Sequence, residues 1–587
     1  TVSGTETAPA GGYSITASGT AANTITIDGG GATTITANGG LTVGALNDAI
    51  FKIIGGDFIT IQGFTMQENP ANTATTAASN NMTEWGVALL YQSTTNGSQN
   101  NTIQNNTISL NRTYLNTFGV YSNTRHSPTA VATSAEVTAA TGSNSNNKVY
   151  GNQVSNVNYG IVFIGAGTTI AAIDTGNDIG GSSIGTGNTI TNWGGGGAPT
   201  GYISLTGSNY CIFDNQQIND NISFNTITSA SLAQSVTTGG ILKNYSIASP
   251  TSGTITTTIT NNTVQVTNSP SAATTGGVIG INNQGLTTLL STATMSLNNN
   301  TVQNSVLGGS TSTTNGLTGI TNLSLPGTLN MNNNNVLNNS ITATTATSGL
   351  VNGISNSGAA GIVNMNGNVV RGWASTSTSG QIQGITNSGA VVTVLNINNN
   401  QLGNSSGGFL TTSTATSGSL FGISTSGGAS TCALTITGND IRGITYNTAA
   451  SAAQNYYQNT AATLSQNISN NTFTNLNVNT TGSVTFISDS VSAPSGGFKT
   501  INGNSIVTAF NKGGAGGTVT LYNDGGSSTS TAPVQNNNNN FSNITVTGAT
   551  TIAGWFNNDG TGATPTKTIT GNTFSRSEEH TSELQSH

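Results

Sequence analysis

The chain has 587 residues, only 5% of them charged, and Gly, Asn, Ser and Thr dominate it while the helix formers Glu, Lys and Arg are scarce. A net charge of −7 with 11 Lys and Arg in all excludes a nucleic-acid partner, which needs clustered basic groups, and equally a polybasic membrane contact. No stretch of roughly 18 apolar residues occurs, so no spanning helix is expected.

Residues 1–50 read as a β-rich cap or the first coils of a repeat. Thr-x-Thr pairs at Thr24, Thr34 and, far downstream, Thr568 invite an ice-binding reading, but the array is not kept in register from coil to coil, and the Asp-Gly at Asp28 is turn chemistry.

From residue 51 a motif organises the chain: Asn or Gly, then Asn, any residue and a hydrophobe. IQGF ending at Phe64 reads as an early degenerate copy, NNTI ending at Ile108 as a full one, and the next hydrophobe is Val154. The spacings of 44 and 46 residues exceed those further on, so long loops are expected to leave the scaffold across 51–200, and loops on rigid scaffolds carry binding sites. The densest set of reactive side chains lies here: Glu68, Glu84, Trp85, Arg112, Tyr121, Arg125, His126 and Glu136, within 69 residues. As a ligand-binding face, Trp85 or Tyr121 stacks on a sugar ring while the charged groups orient its hydroxyls. The competing reading is that loops are simply where charge is tolerated. The segment DTGND, with Asp174 and Asp178, can hold Ca²⁺ in a turn, but it lacks the repeated spacing of dedicated calcium loops; a solvated turn is the reading adopted, with no cofactor.

Over 201–575 the repeat is regular. The anchor hydrophobes run Val154, Ile190, Ile227, Val264, Val302, Val336, Val370, Leu402, Ile441, Phe473, Ile506, Phe541 and Phe574, with a mean spacing of 35 residues and a range of 32 to 39. A second anchor, Gly-Ile in a short apolar segment, recurs at Ile281, Ile320, Ile354, Ile385 and Ile423, and leads the next Asn anchor by 16 to 21 residues. Alternating pieces such as LNMNNNNV precede the Asn runs. Each unit thus holds three short strands, Asn- and Gly-rich turns and a Ser/Thr-rich bulge of variable length. Stacked coils ~4.8 Å apart align the hydrophobes in columns and let Asn amides hydrogen-bond from coil to coil. The reading is all-β, a right-handed parallel β-helix of about 15 coils of about 35 residues, roughly 70 Å long at that rise. Cys211 and Cys432 are 221 residues apart, about six coils and roughly 30 Å, too far for a disulfide that tolerates about 7 Å. Both are read as small buried hydrophobes, and Arg371 and Trp373 as covers of an outer face.

The run RSEEHTSELQSH, residues 576–587, breaks the composition and resembles the conceptual translation of a sequencing adapter. It is set aside as an artefact, with the expectation of a fragment whose native termini and anchoring domain lie elsewhere.

The motifs NNTI, NGNVV and TITGNTF resemble the parallel β-helix repeats of the pectin-lyase-like superfamily and, more narrowly, the secreted β-strand-repeat surface proteins of Bacteroidota, over roughly residues 50 to 575. The resemblance implies the fold and an exported protein. It does not imply an activity, since this architecture carries lyases, hydrolases, tailspikes and adhesins alike.

Glycoside hydrolysis needs two carboxylates, and the lyase type adds calcium ligands and a basic proton acceptor. Between Asp220 and Asp440 there is no Asp or Glu, and the only charges are Lys243 and Arg371, which removes about six coils from carboxylate chemistry. The sequence therefore reads as a non-enzymatic secreted or cell-surface solenoid, adhesin-like or structural. The competing reading is a carbohydrate-binding or polysaccharide-degrading β-helix using the N-terminal loops. Expected partners are polysaccharides or other surface and matrix components, with end-to-end self-association through unpaired strand edges.

Overall fold

The computed structural model describes residues 4–167, 169–205, 207–270, 276–309, 316–343, 349–526, 531–558 and 566–576; the adapter-like run beyond Arg576 lies outside them. The chain is a parallel β-solenoid of about 16 turns with a spacing near 34 residues. Its sole helical element among the described residues is the 3₁₀ turn Ala140–Gly142. No helix among them is long and apolar enough to cross a membrane. Two compact units divide it, Thr1–Asn330 and Met331–His587.

A coil of the first unit shows how the sequence makes the fold. In Ile255–Thr260 alternate residues are buried, Ile255, Thr257 and Ile259 facing in. Asn261 then turns the chain at a φ of 58°, Thr263–Asn268 buries Val264 and Val266, and Val278–Asn283 closes the turn. The two residues of the Asn motif do different work. The first is the corner, held in the left-handed region by Asn or Gly: Asn105, Gly151, Asn261 and Asn299 in this unit, Asn333, Gly367, Asn399, Gly438, Asn470, Gly503 and Asn538 in the other. Asn and Gly are the residues that reach this region with least strain.

The second residue builds a buried ladder. In the first unit each side-chain amide donates to the next side-chain oxygen along Asn106, Asn152, Asn188, Asn225, Asn262 and Asn300, at 2.9 to 3.1 Å. A shorter ladder, Asn101, Asn147 and Asn177, takes the backbone N–H of the previous coil instead. In the second unit the ladder is Asn334, Asn368, Asn400, Asn439, Asn471, Asn504, Asn539 and Asn572, also at 2.9 to 3.1 Å. Each member also satisfies backbone groups that the corner strips from the sheet: Asn400 donates to the Met365 carbonyl at 2.8 Å and accepts from the Asn368 N–H at 2.8 Å.

The anchor hydrophobes stack in register, Ile108 with Val154, Ile190, Ile227, Val264 and Val302 in the first unit, and Val336 with Val370, Leu402, Ile441, Phe473 and Ile506 in the second. The glycine of the Gly-Ile segment is their seat. A Cβ on Gly280 would lie 2.5 Å from Val302 Cγ1, one on Gly353 2.9 Å from Val370, and one on Gly422 2.6 Å from Ile441. This contact is why the two sequence anchors keep phase.

Two expectations need correction. Ile108 stands opposite Met66, not Phe64, because Gly63, at a φ of 71°, is the corner residue and GFTM, not IQGF, is the early copy. Trp373 does not cover an outer face: it is buried, in register with Leu410. Cys211 and Cys432 are both buried and unpaired.

Candidate functional site

The candidate region belongs to the first unit. Its Gly-Ile-type strands, Trp85–Leu90, Phe118–Asn123 and Tyr159–Ile164, are buried along their whole length, inward and outward residues alike. An ordinary solenoid strand buries one face. Here the long loops fold back over the outer face and close a second hydrophobic cluster in which Trp85, Tyr121, Tyr159, Tyr210 and Phe213 lie beneath Val131, Tyr202 and Leu205. The covering loops are tied down by Tyr202, whose hydroxyl donates to the Leu46 carbonyl at 2.5 Å, and by the Ile203 N–H on the Val131 carbonyl.

Trp85 and Tyr121 stack on one another, ring centroids 5.0 Å apart and 7° from parallel, with His126 continuing the stack. All three are fully buried. His126 Nδ1 lies 2.7 Å from the Ser127 carbonyl and so carries the proton, which leaves Nε2 to accept from the Tyr121 hydroxyl at 2.8 Å; that hydroxyl in turn accepts from Asn123. Burial pushes the imidazole down to about 4.

Glu84 is completely buried beside them. Its Oε1 accepts from the Tyr114 hydroxyl at 2.6 Å and its Oε2 from the Asp48 N–H at 2.9 Å. Burial raises its carboxyl well above the usual range, and raises that of Asp48 to about 6. Lys52, 5.7 Å from the Trp85 ring centre, is lowered by burial. Asp48 and Lys52 thus belong to the cluster, and sequence spacing did not single them out. A lysine inside the hydrophobic run AIFKII was the available signal, since a buried ammonium demands a partner.

The remaining candidates each close a loop. Glu68 accepts from Asn69 N, Asn72 Nδ2, Thr83 N and Thr83 Oγ1, all within 2.7 to 2.9 Å, so it gathers the loop between the strand Ile59–Gln67 and Glu84. Arg125 and Glu136 form an ion pair at 2.6 Å across the base of the 124–137 loop. Arg112 donates to the Gly194 carbonyl at 2.9 Å. The structure therefore brings Glu84, Trp85, Tyr121 and His126 together in the interior, and places Glu68, Arg112 and the Arg125–Glu136 pair as separate clasps.

The segment DTGND is not a solvated turn: Asp174 and Asp178 lie in the short strands Asp174–Thr175 and Asp178–Ile179, and Asp174 is withdrawn from solvent. Asp174, fully buried, accepts from Asn144 N, Thr124 Oγ1 and Gln217 Nε2, and burial pushes its carboxyl up to about 8. Asp178 accepts from the Tyr150 hydroxyl, Asn221 Nδ2 and Gly181 N at 2.5 to 2.9 Å. Among the described residues no group of three or more His, Cys, Asp or Glu is arranged to hold a metal ion.

Two buried charge clusters escaped sequence reading. In the first unit Lys243 Nζ lies 2.7 Å from Asp214 and 3.1 Å from Asp220. In the second, Lys499 lies 3.3 Å from Asp489 and 3.0 Å from Asp524. Lys243 in GGILKN and Asp214 in CIFDN occupy matching places in successive Gly-Ile-type strands, a pairing that the motif phase alone could have exposed.

One groove, of about 320 Å³, opens beside this region between residues 45–47 and 129–132, and Asn47 bridges it by donating to the Thr129 carbonyl. No family model and no curated protein sequence matches the chain. Among solved structures, the PL6 family alginate lyase AlyGC is similar at a TM-score of 0.19 and 11% identity, over 97% of this chain and 96% of its own. A point mutant of that enzyme scores 0.18 with 10% identity over the same shares. Likeness at this level carries no weight for fold or chemistry.

Proposed function

We propose that the chain is a non-enzymatic solenoid of the cell exterior, secreted or held at the surface, acting as an adhesin, spacer or matrix component. The observation that supports this reading is the use to which the polar side chains are put. Glu84 has both oxygens engaged by Tyr114 and Asp48 and no exposed surface, so it is not presented to a glycosidic bond that two carboxylates must flank. Glu68, Arg112 and the Arg125–Glu136 pair hold loops.

A second reading, carbohydrate binding, draws on the groove between 45–47 and 129–132, which lies one residue from the raised carboxyl of Asp48. Incubation with a panel of acidic and neutral polysaccharides separates the two. No turnover is the expected result. Turnover that disappears in Glu84→Gln overturns the non-enzymatic reading, and binding without turnover that weakens in Asn47→Ala assigns a lectin-like module. The reading involves no cofactor. Chelation with EDTA is expected to leave the thermal midpoint unchanged, because the oxygens of Asp174 and Asp178 already have hydrogen-bond donors; a fall in the midpoint would place a cation in the fold.

A further inference from the structure

The Lys243 cluster is composed as a reaction site rather than as a simple ion pair. Lys243 and Asp214 face each other in register on parallel neighbouring strands, Thr238–Asn244 and Asn209–Asn215, of consecutive coils. The Nζ is 2.7 Å from Asp214 Oδ2 and 3.1 Å from Asp220 Oδ1, and none of the three side chains is more than 2% exposed. The Gln217 carbonyl at 2.6 Å fixes the amine from another side, and the Tyr245 ring, centred 4.7 Å away, covers it. Asp220 Oδ1 also accepts from Thr257, whereas its buried Oδ2 has no hydrogen-bond partner and is open to a proton.

We propose that Lys243 and Asp214 condense to a side-chain amide, an isopeptide cross-link between these two coils, with Asp220 relaying the protons. Burial raises the Asp214 carboxyl against the pull of the ammonium beside it, which favours its reaction as the acid, while the charges of Asp214 and Asp220 hold Lys243 protonated, so the proton transfer from Lys243 is the step that the site must drive. The ammonium of Lys243 gives one proton to Asp220, and the freed Nζ lone pair attacks Asp214 Cγ. Asp220 passes that proton to the departing hydroxyl, which leaves as water, and takes a second proton from the nitrogen. The Cγ–O bond breaks, the Cγ–Nζ bond forms, and Asp220 ends as a neutral acid. The driving force is local. An ammonium and a carboxylate stripped of water are replaced by uncharged groups, which relieves the desolvation penalty of a buried ion pair, and the same burial keeps out the water that would reverse the step.

The Lys499 cluster provides an internal comparison. Lys499 pairs in register with Gln466 and Val534 and not with either aspartate, and Asp489 is also held by Asn459. No cross-link is assigned there.

The test is the mass of the full chain, followed by digestion with a protease of broad specificity and tandem mass spectrometry. The expected result is a branched peptide joining the strands of Asp214 and Lys243, accompanied by the loss of one water. In Asp220→Asn the same two segments are expected as linear peptides of full mass, with the β-sheet circular dichroism retained. A linear Lys243 peptide from folded wild-type protein overturns the proposal. So does a water loss that maps to a cyclised Asp214 alone, or a cross-link that persists in Asp220→Asn.

Discussion

Corner residues are tuned one by one, and the exceptions can be tested. Phe224 precedes ladder residue Asn225 at a φ of 60°, where other coils place Asn or Gly. A bulky side chain there costs about 1–2 kcal/mol, so Phe224→Asn is expected to stabilise the protein by about 1 kcal/mol in chemical denaturation. A loss of stability would mean that the half-buried ring contributes more by packing than the corner loses by strain. Asp174 gives a pH-dependent counterpart. Its carboxyl sits at about 8 in the fold against 3.8 in an exposed chain, so across that window the folded state keeps a proton that the unfolded chain has released. Stability contributed by this group therefore falls as pH rises. Asp174→Asn removes the dependence, and its thermal midpoint relative to wild type is expected to climb between about pH 5 and about pH 8; a flat difference would contradict the buried, proton-holding carboxyl. The Asn motif itself was legible in the sequence down to single positions. The neutral state of His126 was not, because its burial depends on two loops meeting, its own and the one that brings Tyr202 against its ring.

The Asn ladder, more than any single strand, defines the corner as an element. Truncating Asn400 leaves the buried Met365 carbonyl and the Asn368 N–H without the partners the side chain supplied. At about 1–3 kcal/mol for each buried group left unmade, Asn400→Ala is expected to cost about 2–5 kcal/mol. The neighbouring corner substitution Asn399→Gly is expected to be nearly neutral, since Gly438 already occupies the equivalent corner in the next coil. Equal effects from the two, measured by urea unfolding, would remove the distinction between corner and ladder. Element phase was readable because periodicity is a local property of the chain. The misplacement of the first copy at Phe64 came from the same source: Gly63 and Met66 satisfy the motif only when the register with Ile108 is known.

At the scale of the molecule, a solenoid distributes stability between neighbouring coils, so damage should remain local. In Asn400→Ala, amide exchange is expected to rise most in the coils that flank it within the second unit, around Val369–Arg371 and Asp440–Tyr446, and to decline with distance along the stack. Uniform loss of protection would instead indicate one cooperative block. Composition, spacing and alternation by themselves determined a parallel β-solenoid, its coil length, its stacked hydrophobes and its amide ladders, because each coil repeats the same short-range chemistry and meets only its neighbours. Tertiary structure decided what the irregular parts do. Long loops at residues 124–137 and around 194–205 close over Trp85 and Tyr121 rather than displaying them, and Lys243 finds Asp214 one coil away. Those contacts join residues far apart in the chain, and nothing in the local pattern records which loop will cover which face.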